Sequence, residues 1–336
     1  MCAKLSHSFE DMISVDNLLF SWEEFIRGKR RRKDVQQFSF NLMNNVLKLH
    51  YELKNKKYRH GRYHAFTICD PKPRKIHKAS VRDRLVHRAV YRVLQPFFEK
   101  TFISESYSCR QNKGTHKAIE RFASFNYKAS ENNTKTCWVL KCDIKKFFAS
   151  IDQKNLVKIL RQYILDEEII WLLKQIVSSF HSSRIGVGLP LGNLTSQTFV
   201  NIYMNEFDQF VKHKLRIKRY IRYADDFAIS SKDKSYLLKL LPQLSRFLEE
   251  NLRLSLHSGK TFITTLFSGV DFLGWVNFPD HRVLRTKTKR RMLARIKENP
   301  TEDSVNSYLS LLDHGNSCKL KKKVIRLIYE FQRESF

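Results

Sequence analysis

The sequence predicts an α+β protein: an antiparallel sheet with helices packed on it, followed by a small helical domain. Three observations carry that expectation. β-Formers at Tyr220 to Tyr223 and Phe227 to Ile229 flank Ala224, Asp225 and Asp226, which reads as a tight hairpin. The run WVLKCD from Trp138 to Asp143 reads as a buried strand that ends on a carboxylate. Around them lie apolar stripes at helical spacing, and three such stripes close the chain.

Taken in order, the opening is helical. Leu18, Leu19, Trp22, Phe25 and Ile26 recur at helix spacing behind Asp16, which is placed to cap them. Gly28 stops that helix. Lys29 to Lys33 follow as a basic run suited to phosphate, with a solvated linker or a targeting signal as alternatives. A second helix is expected from Val35 to Leu53, and a strand from Tyr63 to Ile68. Pro71 and Pro73 flank Lys72 and forbid a regular helix there, so Asp70 to Arg74 reads as a turn. A hairpin presenting Lys72, Arg74 and Lys75 offers cations to a triphosphate; a basic surface loop is the plainer reading.

Val81, Leu85, Val86, Ala89, Val90, Val93 and Leu94 then form one helical stripe, with Arg82, Arg84, Arg88 and Arg92 on the other face. This predicts a core helix with a cationic outer side, closed by Pro96. Asp166 is placed to cap a helix carrying Ile169, Ile170, Leu173, Ile176 and Val177. Gly186 to Gln197 is a glycine-rich turn entering a helix with Phe199, Val200, Tyr203 and Phe207; small residues there let backbone lie close to a ligand. Leu237, Leu241, Leu244 and Leu248 predict a further helix that Pro242 should kink or divide. Leu252, Leu254 and Leu256 alternate as a half-buried strand, turned by Ser258 and Gly259. The closing helices are expected from Lys287 to Ile296, from Thr301, and, after a break at Gly315, through Leu320, Val324, Ile328 and Phe331.

Composition points to a polyanion. The 336 residues carry 62 Lys+Arg against 33 Asp+Glu, a net charge of +29. Nucleic acid is the first partner this implies, and an acidic membrane surface the second. No long apolar span and no signal-peptide pattern supports the membrane. Cysteines at 2, 69, 109, 137, 142 and 318 form no Cys-x-x-Cys pair. Cys137 and Cys142 are close enough to suggest zinc but lack a second pair, so all six read as reduced thiols of a cytoplasmic protein.

Asp143 alone fits a helix cap or strand-end turn, and Asp225 with Asp226 alone fits an ordinary Asp-containing turn. Together they supply what a two-metal phosphoryl-transfer site needs: ions roughly 4 Å apart, bridged by oxygens from separate rigid elements. With the other stretches in order, the sequence resembles a reverse transcriptase, with Asp143 in its motif A and Tyr223 to Asp226 as its motif C.

The resemblance implies a right-hand polymerase: a helical extension over 1–60, fingers and palm over 61–280 and a helical thumb over 281–336. It implies that Asp143 and Asp225 hold two Mg²⁺ ions with the Ile144 backbone, that Asp226 assists, and that Arg74 and Lys75 meet the incoming nucleotide. Phe148 would lie under the sugar and exclude a 2′-hydroxyl, although a core Phe beside Phe147 is compatible with that. Arg110 and Gly114 would fix template and fingers geometry or act structurally. Lys260 stands at motif D, where a cation can protonate pyrophosphate, or is a turn lysine. Gly269 to Trp275 resembles the primer-grip hairpin.

Gly186 to Gln197 lies where motif B belongs. Most relatives read Gln-Gly and Ser-Pro there, whereas this chain has Leu191-Gly192 and Ser196-Gln197. That form resembles the reverse transcriptases of diversity-generating retroelements, where an aliphatic residue in place of Gln accompanies error-prone copying of template adenines. Physically, Leu191 lacks a polar contact that would discriminate correct pairing. The resemblance implies dNTPs, a template-repeat RNA, its cDNA or primer, a small basic accessory protein, and a bacterial or phage source. The rivals are a retron-like or phage-defence reverse transcriptase of ordinary fidelity, an RNA-dependent RNA polymerase, which Phe148 disfavours, and a catalytically silent RNA-binding protein.

Overall fold

The computed structural model describes residues 3–69 and 73–334; Lys72 and the rest of the turn at 70–72 lie outside them. The chain forms two compact units, each assembled from separate stretches. Unit 1 comprises Met1–Arg110, Ile144–Arg216 and Gln243–His257; unit 2 comprises Gln111–Asp143, Ile217–Pro242 and Ser258–Phe336.

Unit 1 is mainly helical. Its central helix, Val81–Glu99, packs on the helices Val15–Ile26 and Leu194–Gln209. The predicted stripe is buried, and Ser80 caps the helix by accepting from the Asp83 amide. Asp83 is itself 1% exposed and survives as a buried carboxylate because Tyr58, Ser80, Arg82 and the Gly61 amide all donate to it. Pro96 does not close the helix, which continues to Glu99. One proline in the last turn removes one hydrogen bond while the apolar face stays buried.

Ser14, not Asp16, caps Val15–Ile26 by accepting from the Asn17 amide; Asp16 sits in the first turn, where it complements the helix dipole. The helix expected from Val35 to Leu53 is two helices, Lys33–Phe40 and Leu42–Lys54, separated by Asn41 at φ −121°, ψ 44°. β1 (His64–Ile68) and β2 (Arg74–Lys78) form an antiparallel hairpin from His64↔Lys78 to Ile68↔Arg74.

Unit 2 holds the main sheet. β3 (Trp138–Asp143), β4 (Tyr220–Tyr223), β5 (Asp226–Ser231) and β6 (Phe262–Thr265) pair in the order β4-β5-β3-β6, all antiparallel. The helix Thr115–Ala129 packs against β4 and β5. β7 (Val270–Phe272), β8 (Trp275–Asn277) and β9 (Arg282–Leu284) form a second sheet. Leu273 and Gly274 join β7 to β8 with φ of 53° and 88°, the mirror-image turn that suits strand twist. The three closing helices are Thr286–Glu298, Glu302–Leu312 and Cys318–Glu334. They share a core of Met292, Ile296, Leu312 and Val324 with Trp275 and Leu284.

The helix Lys234–Leu252 runs through Pro242 undivided. Its buried stripe is Leu237, Leu240, Leu244 and Leu248, with Leu241 half-buried. The strand expected over Leu252 to Leu256 is absent. Leu252 ends the helix, Arg253 turns the chain at φ 52°, and only Leu256 pairs, in an isolated bridge to Ile144. Alternating leucines here mark a helix end followed by a loop.

Candidate active site

In unit 2, strand register sets the carboxylates. Asp143 at the end of β3 is the cross-strand partner of Asp226 at the start of β5. Tyr223↔Asp226 is the last pair of the β4–β5 hairpin, so Ala224 and Asp225 form a two-residue loop. Ala224 takes φ 54°, unusual for a residue with a Cβ, and the Arg222 guanidinium donates to its carbonyl at 3.0 Å. Thr115 donates to the Tyr223 hydroxyl at 3.3 Å. Three carboxylates therefore gather at one end of a sheet whose three strands β3, β4 and β5 are largely buried.

Two lysines answer them. Lys141 lies two residues before Asp143, on the same face of β3, and is 5% exposed; its ammonium pairs with Asp226. Lys260 Nζ lies 2.7 Å from Asp143 Oδ1. Burial pushes the Asp226 carboxyl up to about 6 despite the pull of Lys141. Asp225 is also raised, by burial and then by the Asp143 charge. Such carboxylates bind a cation that offsets their repulsion more readily than a solvated pair does.

Among the described residues no group of three or more His, Cys, Asp or Glu side chains stands ready to hold a metal ion. Mg²⁺ is typically held by one or two carboxylates together with substrate phosphates. Asp143, Asp225 and Asp226 fit that requirement in donor chemistry: hard oxygens on two adjacent strands and the adjoining hairpin loop, with Asp226 and Asp143 each facing an ammonium group. Cys137 and Cys142 are buried, and burial pushes both thiols up to about 12, as expected of inert core cysteines.

Unit 1 carries most of the other sequence-predicted residues. Arg74 and Lys75 are exposed at the start of β2, opposite Ile68 and Thr67. The glycine-rich turn is bonded to that strand. The Leu191 carbonyl accepts from the His77 amide at 3.0 Å, and Asn193 Nδ2 donates to the His77 carbonyl at 2.8 Å. Gly192 sits at φ 99°, where a Cβ would lie 2.6 Å from Ile76 Cγ2. Phe148 is half-buried, its ring edge-on to Phe147 at 5.6 Å, and its carbonyl accepts from the Leu189 amide at 2.8 Å. Gln197 is half-buried in Leu194–Gln209, and Ile144 is buried. Arg110 pairs with Glu99 at 2.7 Å and donates to the Ile103 and Ser106 carbonyls, a structural role.

The sequence reading missed Lys141 and Asn193. The signal for Lys141 was a lone charge inside an apolar strand run, in period-2 phase with Asp143. Asn193 carried no local signal, because its partner is 116 residues away.

The family described as reverse transcriptase (RNA-dependent DNA polymerase) matches residues 37–277. Protein YkfC of Escherichia coli is 27% identical over 270 residues, covering 69% of this chain and 68% of YkfC. The group II intron-encoded protein LtrA of Lactococcus lactis is 24% identical over 311 residues, covering 72% of this chain and 50% of LtrA. A 91 kDa protein of the Schizosaccharomyces pombe cob intron is 28% identical over 140 residues, 40% of this chain and 16% of that protein. The matched span contains the paired strands with all three aspartates, the glycine-rich turn and the β1–β2 hairpin, and on that breadth the chain belongs to the reverse transcriptase family, the RNA-directed DNA polymerases.

Proposed function

We propose that this chain makes cDNA from a template-repeat RNA with errors concentrated at adenines, as in the mutagenic retrohoming of a diversity-generating retroelement. The placement of Asp143 opposite Asp226, with Asp225 on the adjoining loop, is the observation that supports nucleotidyl transfer. Asp143 and Asp225, with the Ile144 backbone, would hold two Mg²⁺ ions, and Asp226, neutralised by Lys141, would support them. Bound there, the ions supply charge neutralisation and a more acidic 3′-hydroxyl. The chain's own residues do the rest. Lys260 carries a proton within reach of the carboxylate end of β3 and can give it to departing pyrophosphate. Arg74 and Lys75 present exposed cations for the triphosphate, and the half-buried face of Phe148 excludes a 2′-hydroxyl.

The mutagenic branch rests on Leu191, together with Gly192 and Gln197. Leu191 is half-buried and its backbone is tied to β2, so its apolar side chain is held in a defined place without a polar contact to offer. The division into an extension over 1–60, fingers and palm over 61–280 and a thumb over 281–336, a small basic accessory partner and a bacterial cytoplasm complete the proposal.

Primer extension on RNA with Mg²⁺, read by sequencing, tests it. Asp225→Ala should abolish product. Leu191→Gln should cut substitutions opposite adenine by roughly tenfold, the worth of one hydrogen bond. Accurate copying by the unmodified chain would keep the polymerase and reject the mutagenic branch. No product with the native RNA and partner present would leave a silent RNA-binding protein.

A further inference from the structure

The two ammonium groups at the carboxylate end of the main sheet are held in different ways. Lys141 lies in β3, an inner strand of the four, and its side chain is 7% exposed. Lys260 ends a short helical turn, Ser258–Lys260, and its side chain is 45% exposed. An exposed ammonium that leaves a carboxylate is hydrated at once. A buried one that leaves its partner is stranded without water, at a far higher cost.

Strand register explains why Lys141 reaches Asp226. Lys141 is directly opposite Ala228 on β5, and Asp143 is opposite Asp226, so the four residues share one face of the sheet. Ala228 has no side chain beyond Cβ, which leaves the lysine stem room to cross to Asp226, its diagonal neighbour. On β6 the residue opposite Lys141 is the apolar Phe262. The ammonium also lies 5.6 Å from the centroid of the Phe272 ring, which is itself buried against Phe122. An aromatic face and a carboxylate together hold this ammonium, and Lys141 pairs with no other carboxylate among the described residues.

Three carboxylates thus meet two ammonium groups, and a divalent ion entering here must compete with an ammonium for oxygen. Mg²⁺ needs only one or two carboxylates when water and substrate phosphates complete its shell. We propose that Lys141 is a positioning residue of the metal site: it stays on Asp226 when metal enters, leaving Asp143 and Asp225 as the carboxylate ligands, and Lys260 is the ammonium that gives way. Asp226 then serves the site from its charge-paired place in β5 without ligating an ion. The inference rests on the reading of Asp143 and Asp225 as metal ligands and goes beyond it in assigning the third carboxylate and the two lysines.

The test measures Mn²⁺ binding by the full chain without nucleotide, read from the electron paramagnetic resonance signal of free Mn²⁺, an ion that takes the same oxygen ligands as Mg²⁺. Lys141→Met releases Asp226 to the metal and should tighten binding about tenfold. Adding Asp226→Asn to that variant should return the affinity to within about twofold of the unmodified chain. Lys260→Ala should tighten binding several-fold, because the exposed ammonium no longer competes. A lysine that only stabilised the sheet would leave Lys141→Met unchanged, and that result overturns the proposal. So does a double variant that binds about tenfold more weakly than the unmodified chain, which would make Asp226 a ligand. Circular dichroism checks each fold. If the Lys141 variants do not fold, Lys260→Ala decides, and an unchanged affinity there overturns the proposal. Asp225→Asn tests the underlying reading and should weaken binding about tenfold or more. If it binds Mn²⁺ as the unmodified chain does, the carboxylate metal site falls and this assignment with it; if it weakens while the double variant weakens too, only the assignment falls.

Discussion

A lysine inside a buried strand is tolerated only beside a counter-charge, and Lys141 has one in Asp226. Their coupling has a pH signature. The Asp226 carboxyl titrates near 6 in the folded chain, against an ordinary value of 3.8. Between those values the folded state binds a proton that the unfolded state has lost, so this group's contribution to stability declines as pH rises through the window. Above about 6 the fold bears the whole cost of an ionised, buried Asp226, which Lys141 moderates. Lys141→Met should therefore cost about 2 kcal/mol at pH ~8 and distinctly less at pH ~5.5, where Asp226 is protonated. Urea unfolding at the two pH values reads this difference. An equal loss at both would mean that Lys141 acts through packing alone. This residue was half-legible: a charge in phase with Asp143 is visible in the run WVLKCD, but its partner is 85 positions away.

At the scale of elements, the glycine-rich turn and β2 behave as one piece. One backbone hydrogen bond and one from the Asn193 side chain join the glycine-rich turn to His77, and Gly192 lets Ile76 approach. Gly192→Ala meets two penalties, a Cβ at φ 99° and a methyl 2.6 Å from Ile76 Cγ2. Together they should lower stability by about 2–3 kcal/mol. Adding Ile76→Ala should return roughly half, because it relieves the clash and leaves the backbone strain. A thermal-unfolding double-mutant cycle measures the split, and strictly additive losses would sink the contact. Helices and the Asp225 hairpin were legible because their periods are local. Both prolines misled, since Pro96 and Pro242 lie within helices that buried stripes hold together. The leucines after 251 misled for the opposite reason: alternation without a neighbouring strand makes no sheet.

For the whole molecule, a net charge of +29 makes affinity for nucleic acid strongly salt-dependent. If six or more phosphates are neutralised, binding to a template–primer should fall by about 10³ or more between about 50 and about 200 mM salt. A shallow dependence would show that the excess charge faces solvent. Among the described residues no helix is long and apolar enough to cross a membrane. The surface also keeps Met43, Leu47 and Tyr51 exposed at helical spacing on Leu42–Lys54, with Phe40 at 95% just before it.

The sequence by itself determined the α+β class, the carboxylate-bearing hairpin, the strand ending at Asp143 and the basic character of the chain. Each of these depends on residues near one another in the chain or on composition. Tertiary structure alone decided the register that sets Asp143 opposite Asp226, the pairing of Lys141 and the bonding of the glycine-rich turn to His77. Those depend on strand register and on packing between residues distant in sequence, where a shift of one position would turn every side chain to the other face.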